Sequence, residues 1–253
     1  MSALRFLLTG LALATAICCE AAASTLAPQW SPVANLYYQM DCLTGRGSCS
    51  TQVFEDLWQR QGWLDKEANV ALGRFAQLRD RYQTDVWLPA ARPPRAGLLD
   101  PPVPDLGPDP QSYYALSERL KIAALESETI ADLKENLMLV MTPADGAALA
   151  AQVAHFLPGF ERWWTAEAQP AISASGDDLA LLLAQEVAPF LDAAITFYGH
   201  GGTDVTARLK LNLIFRPAGP GGTNGQQIEN HSVVEVVPGE AAENRIGVVV
   251  HEL

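Results

Sequence analysis

From Thr51 to Tyr82 the apolar residues return every three or four positions. Ala68, Ala71, Leu72, Phe75, Leu78 and Tyr82 fall on one face, whereas Arg74, Arg79, Asp80 and Arg81 are read as lying off it, which predicts an amphipathic helix with one buried and one solvated side. Gln111 to Tyr198 is again helical in period and divides at its punctuation. In "TPADGAALAAQVAHFLP" Thr142 is a cap, Pro143 suits the first helical position, Asp145 completes a variant of the capping box, and Pro158 is expected to stop the run. Another helix is predicted from about Asp177 to Phe197, with Asp177 and Asp178 near its positive end and a kink at Pro189.

Past Gly199 the period shortens to two. Val205, Ala207, Leu209, Leu211 and Leu213 alternate with Thr206, Arg208, Lys210 and Asn212, a strand with one buried and one wet face. "RPAGPGGTNGQ" reads as a loop, and Ile228 to Val237 as a second strand closed by Pro238 and Gly239, so the two strands predict a hairpin with a long tip. Helices first and strands afterwards predict an α+β fold, a helical N-terminal region followed by a β-hairpin or small antiparallel sheet. Between them Pro89 to Pro110 holds eight of the chain's 17 prolines and reads as an extended connector. The expected organisation is therefore a leader at 1–23, helical regions at 24–88 and 111–199 around the 89–110 connector, and a final part at 200–253.

Composition adds the compartment and the class of partner. A chain of 253 residues, 49% of them hydrophobic, has enough apolar surface for a packed core. Arg5, the apolar run Phe6 to Ile17 and the small residues Ala21, Ala22 and Ala23 form a secretory signal ending before Ser24, which places the mature protein in the periplasm or outside the cell. Lipidation at Cys18 or Cys19 is disfavoured because Ile17 or Cys18, rather than a small residue, precedes each. The longest other apolar stretch, Leu179 to Tyr198, is interrupted by Glu186 and Asp192, so no stable span is expected once the signal is removed. In an oxidising compartment Cys42 and Cys49, separated by a Gly-rich spacer, are expected to form a local disulfide. A net charge of -12 repels nucleic acid and anionic lipid and favours a peptide, glycan or small molecule as partner.

The chemistry gathers at "GVVVHEL", Gly247 to Leu253. Ile246, Val249, Val250 and Leu253 share a helical face, and Glu240 and Glu243 lie near the favoured end, which reads as a helix; the valines Val248 to Val250 also suit a buried strand, which local propensity slightly prefers, and both conformations stay open. His251-Glu252 after aliphatic residues is the opening of the zinc-peptidase pattern HExxH, whose second His falls at position 255, so the expectation is a chain cut within the motif. On a helix, His251 and that residue would stand one turn apart, close enough to share a zinc ion.

From about residue 200 onward, strand, loop, strand and aliphatic run into His251-Glu252, the chain resembles the zincin metallopeptidases. The resemblance implies an exported zinc-dependent peptidase that hydrolyses peptide bonds with a metal-activated water. It makes residues 200–253 the N-terminal part of a catalytic domain that ends in the start of the active-site helix. His251 would be the first zinc ligand and Glu252 the general base that takes a proton from the water and passes it to the leaving amine. It implies further that the strand before the active helix, Gln227 to Val237, is an edge that pairs with an extended peptide or protein substrate, with His231, Ser232, Val233, Val234 and Glu235 as substrate-binding residues.

Other readings stand beside this one. His200, His231 and His251 are the members of a possible three-His metal site, while His155, among Ala, Val, Phe and Leu, reads as a core histidine. Trp30, Trp58, Trp63, Trp163 and Trp164 read as packing anchors. In the alternative function, a non-catalytic exported binding or scaffold protein, they would line a helical groove.

Overall fold

A computed structural model of the chain describes residues 27–47, 49–82, 88–89, 113–114, 116–189, 210–220, 224–241, 243–245 and 248. The signal-peptide and lipidation readings, nearly all of the Pro-rich connector, His200, His251 and Glu252 lie outside these residues. The described part has the expected α+β composition.

Three helices open the fold: α1 (Pro32–Leu43), α2 (Thr51–Arg60) and α3 (Lys66–Arg81). The helical pattern read over Thr51–Tyr82 is thus made as two helices. Gly62 takes φ 70°, a left-handed conformation that suits glycine and ends α2, and Asp65 restarts the helix by accepting a hydrogen bond from Ala68 N at 2.7 Å. The α3 stripe Ala68, Ala71, Leu72, Phe75 and Leu78 is buried as its spacing predicts, but Arg79 is buried with it. Arg79 follows Phe75 by four residues and so shares its face.

Two short strands, β2 (Leu88–Pro89) and β3 (Tyr113–Tyr114), pair antiparallel on either side of the Pro-rich stretch. Helices α4 (Leu116–Leu125) and α5 (Ile130–Leu137) follow. Next comes α6 (Pro143–Trp163), which passes through a π turn at Trp164–Ala168 into α7 (Gln169–Leu182) and a second π turn at Leu183–Val187.

Thr142 caps α6 as expected, accepting from Asp145 N, but Asp145 does not close the box directly. Its carboxylate takes Arg81 Nη1 at 2.8 Å and Tyr82 Oη at 2.9 Å, and Thr142 N donates to that same Tyr82 hydroxyl at 3.1 Å. Pro158 does not stop the helix: Phe156, Phe160, Trp163 and Trp164 anchor the chain on both sides of it, and this burial outweighs the lost backbone bond, worth roughly 3 kcal/mol. Because the helix continues from Gln169, Asp177 and Asp178 lie inside α7 rather than at its start.

The sheet is mixed, in the order β1-β4-β6-β5, from β1 (Pro28–Gln29), β4 (Lys210–Phe215), β5 (Gly225–Ile228) and β6 (His231–Val236). The two strands read as one hairpin instead run parallel, in register from Lys210 opposite His231 to Phe215 opposite Val236. The hairpin lies at the start of the second of them: β5, half of it in the stretch read as a loop, turns back into β6 at Glu229 and Asn230, with Glu229 at φ 52°. Nor has β4 a wet face. Leu211, Leu213 and Phe215 join the main core with all seven helices, while Ile214 packs with Ile122 of α4, Ile228 and Val233 on the other side, so Asn212 is buried as well.

Trp58, Trp163 and Trp164 are buried, and Trp30 and Trp63 are partly buried and pack against the same core, as packing anchors do. His155 departs from its reading: it is exposed, its ring edge-on to Phe156.

Candidate functional site

At its carboxyl end β6 leads through Val237, Pro238 and Gly239, at φ 76°, into a helical turn at Glu243–Arg245 that is helical again at Val248. Of the two conformations open for this stretch, the described residues take the helix. Val248 packs against the main core and Arg245 is buried, with Nε 3.9 Å from Glu240 Oε2 and Nη2 bonded to the Glu240 carbonyl. Burial lowers the Arg245 guanidinium against the opposing pull of Glu240 and of Asp178 on α7. His251 and Glu252 come next in sequence and lie outside the described residues.

The expected substrate strand is placed differently. His231, Ser232, Val233, Val234 and Glu235 form β6, which is buried throughout and paired on one side with β4 and on the other with β5. A strand with both neighbours in place has no backbone donors left to pair with a peptide, so strand addition cannot occur at β6. Sequence could not separate these cases, because "QIENHSVVEVV" conceals a two-residue turn.

His231 instead anchors a buried polar cluster at the amino ends of the two parallel strands. Asn212 Nδ2 meets its Nδ1 at 3.2 Å, and Nε2 stands 3.0 Å from Glu126 Oε1, a close polar contact rather than a well-angled hydrogen bond. Lys210 Nζ reaches the same Glu126 oxygen. Asn212 Nδ2 also faces the carbonyls of Lys210 and Ser232, which fixes its orientation, and its Oδ1 accepts from Gln29 at 2.8 Å. The imidazole therefore presents a lone pair to Asn212 and its proton to Glu126. Burial pushes the Glu126 carboxyl up, but His231 and Lys210 outweigh it and hold the group below its ordinary value.

A second cluster closes the other end of the sheet. Glu235 receives the Tyr38 hydroxyl at 2.9 Å and Asn224 N at 3.1 Å, with Arg216 Nε 3.4 Å away. Arg216 also donates to the carbonyls of Pro217 and Pro220, at 3.3 and 2.6 Å, tying down the loop after β4. Burial raises the Glu235 carboxyl above its ordinary value in spite of these three partners.

Zinc, which the zincin resemblance implies, takes three protein ligands in a catalytic site. Among the described residues no group of three or more His, Cys, Asp or Glu is placed to hold a metal ion. Both ring nitrogens of His231 already face protein groups, which removes it from the three-His arrangement with His200 and His251. Cys42 and Cys49 are joined as expected, their Cα atoms 5.8 Å apart.

Comparison with family models, with curated proteins and with solved structures finds no match to this chain. Nothing in the sequence marked Glu126, while Lys210 and Asn212 read as members of a wet face. Ile214 follows them on that same face, and an apolar residue there is a usable sign that the face is covered.

Proposed function

We propose that this chain belongs to an exported, zinc-dependent peptidase in which His251 is a zinc ligand and Glu252 the general base. The observation that supports the reading is the helical turn at Glu243–Arg245 and Val248, which follows the sheet and leads directly into His251-Glu252. Continued as a helix, it sets His251 and position 255 on one face, as HExxH demands. In this role the Glu252 carboxylate accepts a proton as the water attacks and returns it to the departing amine. The Cys42–Cys49 disulfide supports export to the periplasm or beyond, and a peptide or protein is the substrate class.

The test begins with the gene. The reading requires a histidine codon at position 255, and a frame that closes after Leu253 or lacks that codon sinks it, leaving the non-catalytic exported binding or scaffold protein as the surviving alternative. With the second histidine of the motif present, the full-length protein is expected to bind zinc and cleave peptides, and Glu252→Gln to keep the zinc and lose cleavage. Undiminished cleavage by that variant would remove Glu252 from the role of base.

A further inference from the structure

At the amino end of the parallel strands a crevice of about 250 Å³ opens between β1, the end of α4 and β4. Gln29, Trp30, Ser31, Glu126, Glu128 and Asn212 line it. His231, behind this crevice, and Val236 are the two ends of β6, five residue steps or about 17 Å of extended chain apart at roughly 3.3 Å per residue.

The lining is chemically lopsided. Glu126 spends one oxygen, Oε1, on both Lys210 and His231, and among the described residues its Oε2 has no partner. Glu128, two residues on, is exposed and brings a second carboxylate. Trp30 supplies an indole wall held in place by Gly176, where even a methyl group would stand 2.6 Å from the ring. Gln29 and Asn212 are bonded to each other and so form a fixed amide floor. With one Lys against two Glu the crevice keeps a net negative charge, inside a chain of net charge -12. An aromatic wall, an amide floor and a surplus carboxylate in a partly enclosed space are the features that recognise a small organic cation.

We propose that this crevice binds an alkylammonium or guanidinium group, with its charge at Glu126 Oε2 and Glu128 and its alkyl part against Trp30. The site is separate from the peptidase reading and does not depend on it. Its ligand is either a free amine or a lysine or arginine side chain of another polypeptide.

The experiment is an NMR titration of the protein with n-butylammonium and, in parallel, with the uncharged isostere 1-butanol, following the Trp30 indole resonance identified by its loss in Trp30→Phe. Expected is a saturable shift with n-butylammonium, little response to 1-butanol, and about tenfold weaker binding in Glu128→Gln, a variant whose exposed position leaves the fold intact. An equal response to 1-butanol, no saturation, or unchanged binding in Glu128→Gln overturns the proposal. Nα-acetyl-lysine N-methylamide separates the sources: binding equal to that of n-butylammonium indicates a side chain as ligand, and binding of n-butylammonium alone indicates a free amine.

Discussion

Arg79 and Asp41 meet through two parallel hydrogen bonds, Nε to Oδ1 at 2.7 Å and Nη2 to Oδ2 at 2.8 Å, with both side chains buried between α1 and α3. Neither can be removed alone without leaving a charge or an unpaired fork in the core. Asp41→Asn or Arg79→Met is expected to cost about 3 to 5 kcal/mol in urea unfolding, while the joint change Asp41→Leu with Arg79→Met recovers most of it. A loss below about 1 kcal/mol in Asp41→Asn would show that water reaches the pair.

Stability should fall in acid through Glu126. Its carboxyl is held below the ordinary 4.5 in the fold, so the folded state binds the proton more weakly than the unfolded chain. The contribution is complete above the unfolded value and is lost as pH drops through the folded one. Urea midpoints measured from roughly pH 3 to pH 7 should therefore decline more steeply in acid for the natural protein than for Glu126→Gln. Parallel curves would count against the cluster with His231 and Lys210.

Glu235 carries the opposite sign. Burial raises its carboxyl, so its stabilising contribution is complete below 4.5 and is lost as pH rises through the folded value. Tyr38→Phe removes a donor to the ionised form and should cost about 1.5 to 3 kcal/mol at neutral pH. The penalty should shrink as the pH is lowered and Glu235 takes up its proton. A cost independent of pH would mean that Tyr38 acts through packing alone.

Loss of the Cys42–Cys49 bond, by reduction or by the double change to Ser, is expected to cost about 2 to 3 kcal/mol. Gly47→Ala should weaken the bond's formation, since the added methyl would stand 2.7 Å from Cys49 Sγ and 3.1 Å from Cys42 Sγ. Mass spectrometry under non-reducing conditions reads out the extent of oxidation, and urea unfolding the loss of stability. A Gly47→Ala protein that oxidises as completely as the parent would show that the loop has room to move.

The helical stripes were legible where apolar spacing alone decided the outcome. Phe75 and Leu78 are buried as their period predicts, and Thr142 caps α6 for local reasons that a short peptide would share. What escaped depended on a distant partner. Arg79 is buried because Asp41 receives it, and Pro158 remains helical because Phe156 and Phe160 are held by the core. Strand pairing escaped for a related reason: alternation gives the period of β4 but not the direction of its neighbour, and the Glu229–Asn230 turn lacks the Gly that would have marked it. As for the site, the residues of β6 were singled out, but as an edge. Their true surroundings rest on Glu126, more than a hundred positions away in sequence.

The bond between Gln29 and Asn212 joins residues 183 positions apart. A ribosome adding about 5 to 20 residues per second needs roughly 10 to 40 s to make the intervening chain. Throughout that time β1 has no strand to pair with, and the face of α1 that ends against β4 stays uncovered. The amino-terminal helices must therefore wait, incompletely buried, for β4 to emerge, and in that interval the growing polypeptide is most open to capture by a chaperone or by a second copy of itself.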